Sequence, residues 1–209
     1  MTPAVAEDTH AMSVAPAPDP ATFWLVRHAQ PLIAPGICYG ALDVAAEPEA
    51  TRVAAQTLAT QLPPQSQVHV SPLQRCELLA QVLYGLRPDL SYKTDARLAE
   101  MNFGAFEGRR WDSISVHAYD DWTDDFWQHR FGGAESVAEF MARVTLAWLD
   151  AMQAAAGHRP QVWITHAGVI RAASLISKGV REVHQAAQWP ADAPAFGQAW
   201  CIKPGPVAG

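Results

Sequence analysis

Short apolar runs alternate along the chain with longer segments whose apolar positions recur at helical spacing. This alternation predicts a β/α protein. Phe23-Trp24-Leu25-Val26 is an unbroken apolar run within a predicted strand at 22–27, and it stops abruptly at Arg27-His28. Val53, Leu58 and Leu62 mark a helix over 49–62 that Pro63-Pro64 ends. Residues 67–70 form a short strand. The helix after it runs to about residue 86, with Ser71 as its N-cap and Pro72 as its first helical residue. Residues 91–94 are a weak third strand. Val137, Phe140, Met141, Val144, Leu146, Trp148, Leu149 and Met152 crowd one broad face of a helix over 136–156, and Gly157 stops it. The next strand, 161–165, ends at His166, where another apolar helix begins. Residues 195–202 add an edge strand before Pro204 and Gly205 end the pattern.

Two stretches break the alternation. Residues 30–40 hold two prolines and two glycines and predict an ordered loop, either a wall of a site or a plain connection. Residues 111–131 interleave Trp, Tyr and Phe with Asp and His. Those acids and imidazoles raise the question of a metal, but the alternation fits short amphipathic helices better, and no metal site is predicted. An insertion at about 105–131 covering a pocket is the expectation.

Composition narrows the classes. With 209 residues, 49% hydrophobic and 17% charged, the chain is globular and long enough for one sizeable core. A net charge of −6 argues against a nucleic-acid partner. Cys38, Cys76 and Cys201 are odd in number and lack ligand spacing, so they read as free thiols of a reducing compartment. No run approaches the roughly 18 apolar residues of a membrane helix. Residues 1–20 have no basic start and no apolar core, and read as a loose Ala/Pro tail ahead of a single domain at 21–209. A cytoplasmic location is expected. The long apolar helices fill a core as readily as an interface, so a homodimer stays open.

The polar residues at the strand ends carry the chemistry. In an alternating β/α chain with right-handed crossovers, Arg27-His28, Arg75 and His166 lie on one edge of the sheet. Arg75 falls in the first turn of its helix, where a cation opposes the helix dipole, which points to an anion-facing role. His166 stands beside the unpaired N–H groups of a helix start. Four groups able to carry positive charge would converge, and phosphate is the ligand they suit. One imidazole can attack phosphorus, while the other groups stabilise the transferring oxygens. Glu100 could protonate the leaving oxygen. There is no P-loop pattern and no carboxylate cage for Mg²⁺.

The ordered set Leu25-Val26-Arg27-His28-Ala29, Ser71-Pro72-Leu73-Gln74-Arg75-Cys76, Glu100 with Phe103-Gly104 and Glu107-Gly108, Gly133 with Glu135-Ser136, and Thr165-His166-Ala167-Gly168-Val169-Ile170-Arg171 resembles the histidine phosphatase (phosphoglycerate mutase-like) superfamily. The resemblance implies a three-layer α/β/α sandwich with a mainly parallel sheet, and no metal or other cofactor. It implies a phosphomonoesterase in which His28 becomes phosphohistidine, Arg27, Arg75 and His166 hold the phosphoryl group, and Glu100 is general acid and then base. Its partner is a small phosphorylated substrate. Ala29 stands where the family usually has Gly, and is expected to be tolerated unless a positive φ is required. Gln30-Pro31 and Ala34 replace a common Glu-Thr and Asn. Their phosphate contact passes to backbone N–H groups such as that of Ala167, or to the 36–40 loop with Tyr39 and Gly40.

Within the family, residues 36–43 and 100–114 look most like the α-ribazole phosphatases of cobalamin synthesis, although Ala41 stands where those usually have Arg. α-Ribazole 5′-phosphate or a related cobalamin-pathway phosphate is therefore the expected substrate. The alternatives are a broad-specificity sugar or nucleotide phosphatase, then a phosphoglycerate mutase, then a non-catalytic phospho-ligand binding module.

Overall fold

A computed structural model describes residues 22–155 and 159–203. The expected tail at 1–20, the helix stop at Gly157 and the chain end from Pro204 lie outside the described residues. Strands β1 (Phe23–Arg27), β2 (Gln67–Val70), β3 (Ser91–Thr94), β4 (Gln161–Thr165) and β5 (Ala199–Ile202) form one sheet in the order β3-β2-β4-β1-β5. All pairs are parallel except β1 with β5. The helices are α1 (Pro48–Gln61), α2 (Gln74–Leu86), α3 (Val116–Asp124), α4 (Val137–Ala155) and α5 (Ala167–Ser177). The fold is the expected α/β sandwich, with strand bounds within a few residues of the sequence pattern.

Alternation along each strand builds the layers. Phe23 and Leu25 of β1 and Trp163 of β4 join a core with Phe140, Met141 and Trp148 of α4 and Ile170 of α5. Val26, Val162 and Ile164 face the other way, onto Leu58 of α1 and Leu79 and Leu83 of α2. β4 is buried at every position, as a central strand covered on both faces must be. β3 is an edge strand with Ser91, Lys93 and Thr94 exposed, and Lys93 blunts that edge against further pairing.

One predicted cap is corrected. Helix α2 begins at Gln74 behind an extended Leu73, not at Ser71-Pro72. Its first turn is capped from a distance: Asp43 accepts from the Gln74 N–H at 2.7 Å and from the Gln74 side-chain amide at 3.0 Å. Ser71 has a different partner, described below. Among the described residues, no helix is long and apolar enough to cross a membrane.

Candidate active site

The parallel register of β1, β4 and β2 brings three chain segments to one sheet edge. Arg27 pairs with Thr165, and the ladder runs one residue further: the His28 N–H donates to the Thr165 carbonyl and the Ser71 N–H to the Ile164 carbonyl, each at 3.0 Å. His28, Ser71 and His166 are thus neighbours by register. Arg75 follows on the first turn of α2. Of these, His28 and Arg75 border a cavity of about 630 Å³, whose floor includes Arg27, His28, Arg75, Glu100, Ala167 and Gly168. Tyr39 lines its side.

His28 is 2% exposed. Its Nδ1 lies 2.7 Å from the Ala29 carbonyl, which can only accept, so Nδ1 carries the proton and Nε2 keeps its lone pair. Burial first, and then the charge of Arg75, push the imidazole down to about 3. Ala29 itself is unstrained: Gln65 is the one non-glycine with positive φ among the described residues.

His166 is fully buried and sits behind this floor rather than in the cavity lining. Its Nδ1 accepts from Arg75 Nε at 3.2 Å, which places its proton on Nε2, 2.7 Å from Ser71 Oγ. Burial, then Arg75, hold it well below the usual histidine range. The expected set of four positive groups is therefore corrected. Burial beside Arg75 disfavours the charged form of both imidazoles, so of the four the two arginines are the groups that bring charge.

Arg75 is fully buried, with Nη1 donating to the Leu42 carbonyl at 2.9 Å and Nη2 to the Gly40 carbonyl at 2.7 Å. Each terminal nitrogen retains one further N–H. Gly40 does not line the cavity. Its carbonyl fixes Arg75, and a Cβ there would lie 1.8 Å from the Met101 carbonyl oxygen, so only glycine fits.

Glu107 holds this arrangement together. Its carboxylate accepts from the N–H groups of Gly40, Ala41 and Leu42 and from that of Phe103, at 2.9 to 3.0 Å. A single acceptor group thereby fuses the 40–42 loop to the 100–107 segment. Glu100 lies on that segment. Its Oε2 accepts from the Gly168 N–H at 2.9 Å and its Oε1 from the Met101 N–H at 3.1 Å. A Cβ at residue 168 would fall 2.3 Å from Oε1, so the close approach needs glycine.

Arg143 of α4 supports Glu100 from behind. Its guanidinium donates to the carbonyls of Arg97, Ala99 and Glu100 and is paired with Glu135 at 2.7 Å. Nothing in the strand-end pattern points to Arg143. The available signal was a charged residue inside the apolar stripe of that helix, next to Val144 and three residues past Phe140, whose ring it covers at 4.6 Å.

The outer wall is aromatic. Phe131 is fully buried, with Trp122 stacked on it at 4.4 Å, Phe106 at 4.6 Å and Tyr119 at 5.4 Å between ring centres. Trp111, Trp122, Phe103 and Phe126 border the cavity from this cluster, with Phe140 and Trp189 beside them. The 111–131 stretch folds as short helical turns around α3, as its pattern predicted. Among the described residues no group of three or more His, Cys, Asp or Glu side chains could hold a metal ion. Cys38, Cys76 and Cys201 are free thiols.

The profile of the histidine phosphatase superfamily (branch 1) matches residues 23–191. The structure of TTHB049 from Thermus thermophilus shares 27% identity, covering 87% of this chain and 92% of that one, with a TM-score of 0.62. A phosphoglycerate mutase from the same organism shares 26% over the same fractions, again with a TM-score of 0.62. A mycobacterial glucosyl-3-phosphoglycerate phosphatase in complex with VO3 shares the fold, with 22% identity, a TM-score of 0.71, and 86% and 90% of the two chains covered. No curated protein sequence matches significantly.

Proposed function

The chain belongs to branch 1 of the histidine phosphatase superfamily and is a phosphoric monoester hydrolase; we propose that it acts without a metal, through phosphorylated His28, and that its substrate is α-ribazole 5′-phosphate or a related cobalamin-pathway phosphate. The observation that carries the mechanism is the state of His28. Its proton is committed to the Ala29 carbonyl, and a neutral, unprotonated Nε2 is left at the floor of a cavity beside two arginines.

In the first step His28 Nε2 forms a bond to phosphorus as the bond from phosphorus to the ester oxygen breaks. Glu100 delivers the proton to that leaving oxygen. Arg27 and the free N–H groups of Arg75 hold the phosphoryl oxygens, where negative charge grows. In this geometry His166 serves the phosphoryl group through Arg75, whose Nε it holds. In the second step a water oxygen attacks phosphorus and Glu100 takes its proton. The bond to Nε2 breaks, and its electron pair returns to the imidazole.

Support for a large, flat leaving group comes from the cavity volume and its aromatic wall. The likeness of residues 36–43 and 100–114 to α-ribazole phosphatases points the same way. The test is initial-rate phosphate release in excess EDTA from α-ribazole 5′-phosphate, p-nitrophenyl phosphate, 3-phosphoglycerate and common nucleotides. A kcat/KM for α-ribazole 5′-phosphate at least tenfold above the others is expected. Equal low rates on all would leave the phosphatase and remove the cobalamin-pathway substrate. An enzyme whose activity disappears in EDTA would remove the metal-independent mechanism.

A further inference from the structure

Arg171 lies one turn beyond Ala167 and Gly168 on α5, and all three border the cavity. Its guanidinium donates away from the floor: Nη2 to the Ala191 carbonyl at 2.6 Å and Nε to the Asp192 carbonyl at 3.3 Å. Those carbonyls belong to the irregular segment that follows the short turn at 186–188. Trp189, Pro190 and Ala191 of this segment all border the cavity, and Trp189 continues the aromatic wall, 6.3 Å from Phe126 and 6.2 Å from Phe140 between ring centres. An irregular segment has no ladder to fix it. Here Arg171 ties it to a helix whose own position is set by the sheet.

We propose that Arg171 is a specificity-determining positioning residue: by holding the carbonyls of Ala191 and Asp192 it keeps Trp189 in the wall, and so confers preference for phosphomonoesters with a planar aromatic leaving group. The inference deepens the reading of the site given above and rests on its being a phosphomonoester site. A planar fork that bridges two carbonyls suits this task, and a lysine ammonium would not reproduce it. The alternative is that Arg171 is a third cation for the phosphate itself, and that alternative predicts a different pattern.

The experiment measures binding rather than turnover, so that it stands apart from the catalytic mechanism. Calorimetry with 1-naphthyl phosphate and glycerol 2-phosphate is run on the His28→Asn protein, and on the same protein carrying Arg171→Met, Arg171→Lys, Trp189→Ala, or Arg171→Met with Trp189→Ala. Loss of one aromatic contact should weaken 1-naphthyl phosphate roughly tenfold and glycerol 2-phosphate far less. Arg171→Met and Trp189→Ala should each show this split. The double variant should be no weaker than the worse single, because both act on one wall. Arg171→Lys should recover little.

Equal weakening of both ligands by Arg171→Met, with recovery in Arg171→Lys, would overturn the proposal in favour of a phosphate-binding cation. Additive losses in the double variant would overturn it too. Wild-type turnover of p-nitrophenyl phosphate separates this inference from the catalytic reading: protein that binds 1-naphthyl phosphate with the predicted pattern but releases no phosphate would sink the mechanism and leave the role of Arg171 standing.

Discussion

The floor and the outer wall of the cavity are made by different means. The floor is set by strand register, which aligns Arg27 with Thr165 and carries His28 and Ser71 one residue beyond their strands. Each key side chain is then fixed by hydrogen bonds to backbone or to another fixed side chain. The wall has no ladder. It is rings packed on Phe131 from short helical turns, together with a segment after residue 188 tied by Arg171. The difference separates two tasks. On the proposed mechanism, groups that must meet phosphorus at a defined angle sit on rigid elements, while groups that meet the leaving group sit on turns and irregular segments.

This contrast can be broken at its strongest point first. His28→Asn should lower phosphate release by at least about 10³-fold on every ester, with a melting temperature close to wild type, because it removes the nucleophile. Acid-labile labelling of the wild-type protein by a ³²P-ester, absent in the variant, checks the same claim. Arg75→Met should cost roughly 10- to 150-fold in kcat/KM whatever the leaving group, the scale of a charge-assisted phosphate contact. It should also lower the melting temperature, since the carbonyls of Gly40 and Leu42 lose their donor. A loss that depended strongly on the ester would place Arg75 in the wall instead.

Trp122→Ala is the converse. It should raise KM a few-fold for aromatic esters such as 1-naphthyl phosphate and leave kcat on glycerol 2-phosphate within about twofold. The last test reads stability against pH rather than activity. His28 and His166 are both depressed in the folded protein, and histidine in the unfolded chain titrates near 6.5. The unfolded state therefore binds more protons below 6.5, so stability present above that pH is lost as pH falls toward about 3. Thermal melts from pH 7.5 to 4.5 should show the decline. A flat profile would mean that the floor is wetter than its geometry implies.

The floor was the more legible of the two in the sequence. Continuous apolar runs ending in Arg27-His28 and His166 announce buried strands; each polar end alone is commonly structural, but several of them converging on one sheet edge point to chemistry there. The protonation states were not legible. Charge depends on burial and on the nearness of Arg75, which no linear pattern reports. Ser71 misled for a related reason. A Ser-Pro pair before a helix looks like a cap, yet the cap comes from Asp43, 31 residues before Gln74, which frees the hydroxyl for His166. Glu107 and Arg143 act on carbonyls and N–H groups that only the folded chain brings to them, so their sequence neighbours give little sign of it.

Arg75 is already tied at three of its nitrogens before any ligand arrives. A guanidinium so committed presents the same two N–H bonds to a phosphoryl group whether or not an alcohol is attached to it. On the proposed mechanism, free orthophosphate therefore meets a floor as well organised as the one its ester met, and lacks only the group that the tryptophans would hold. Orthophosphate should then be a competitive inhibitor, and its release should be one of the steps that set kcat.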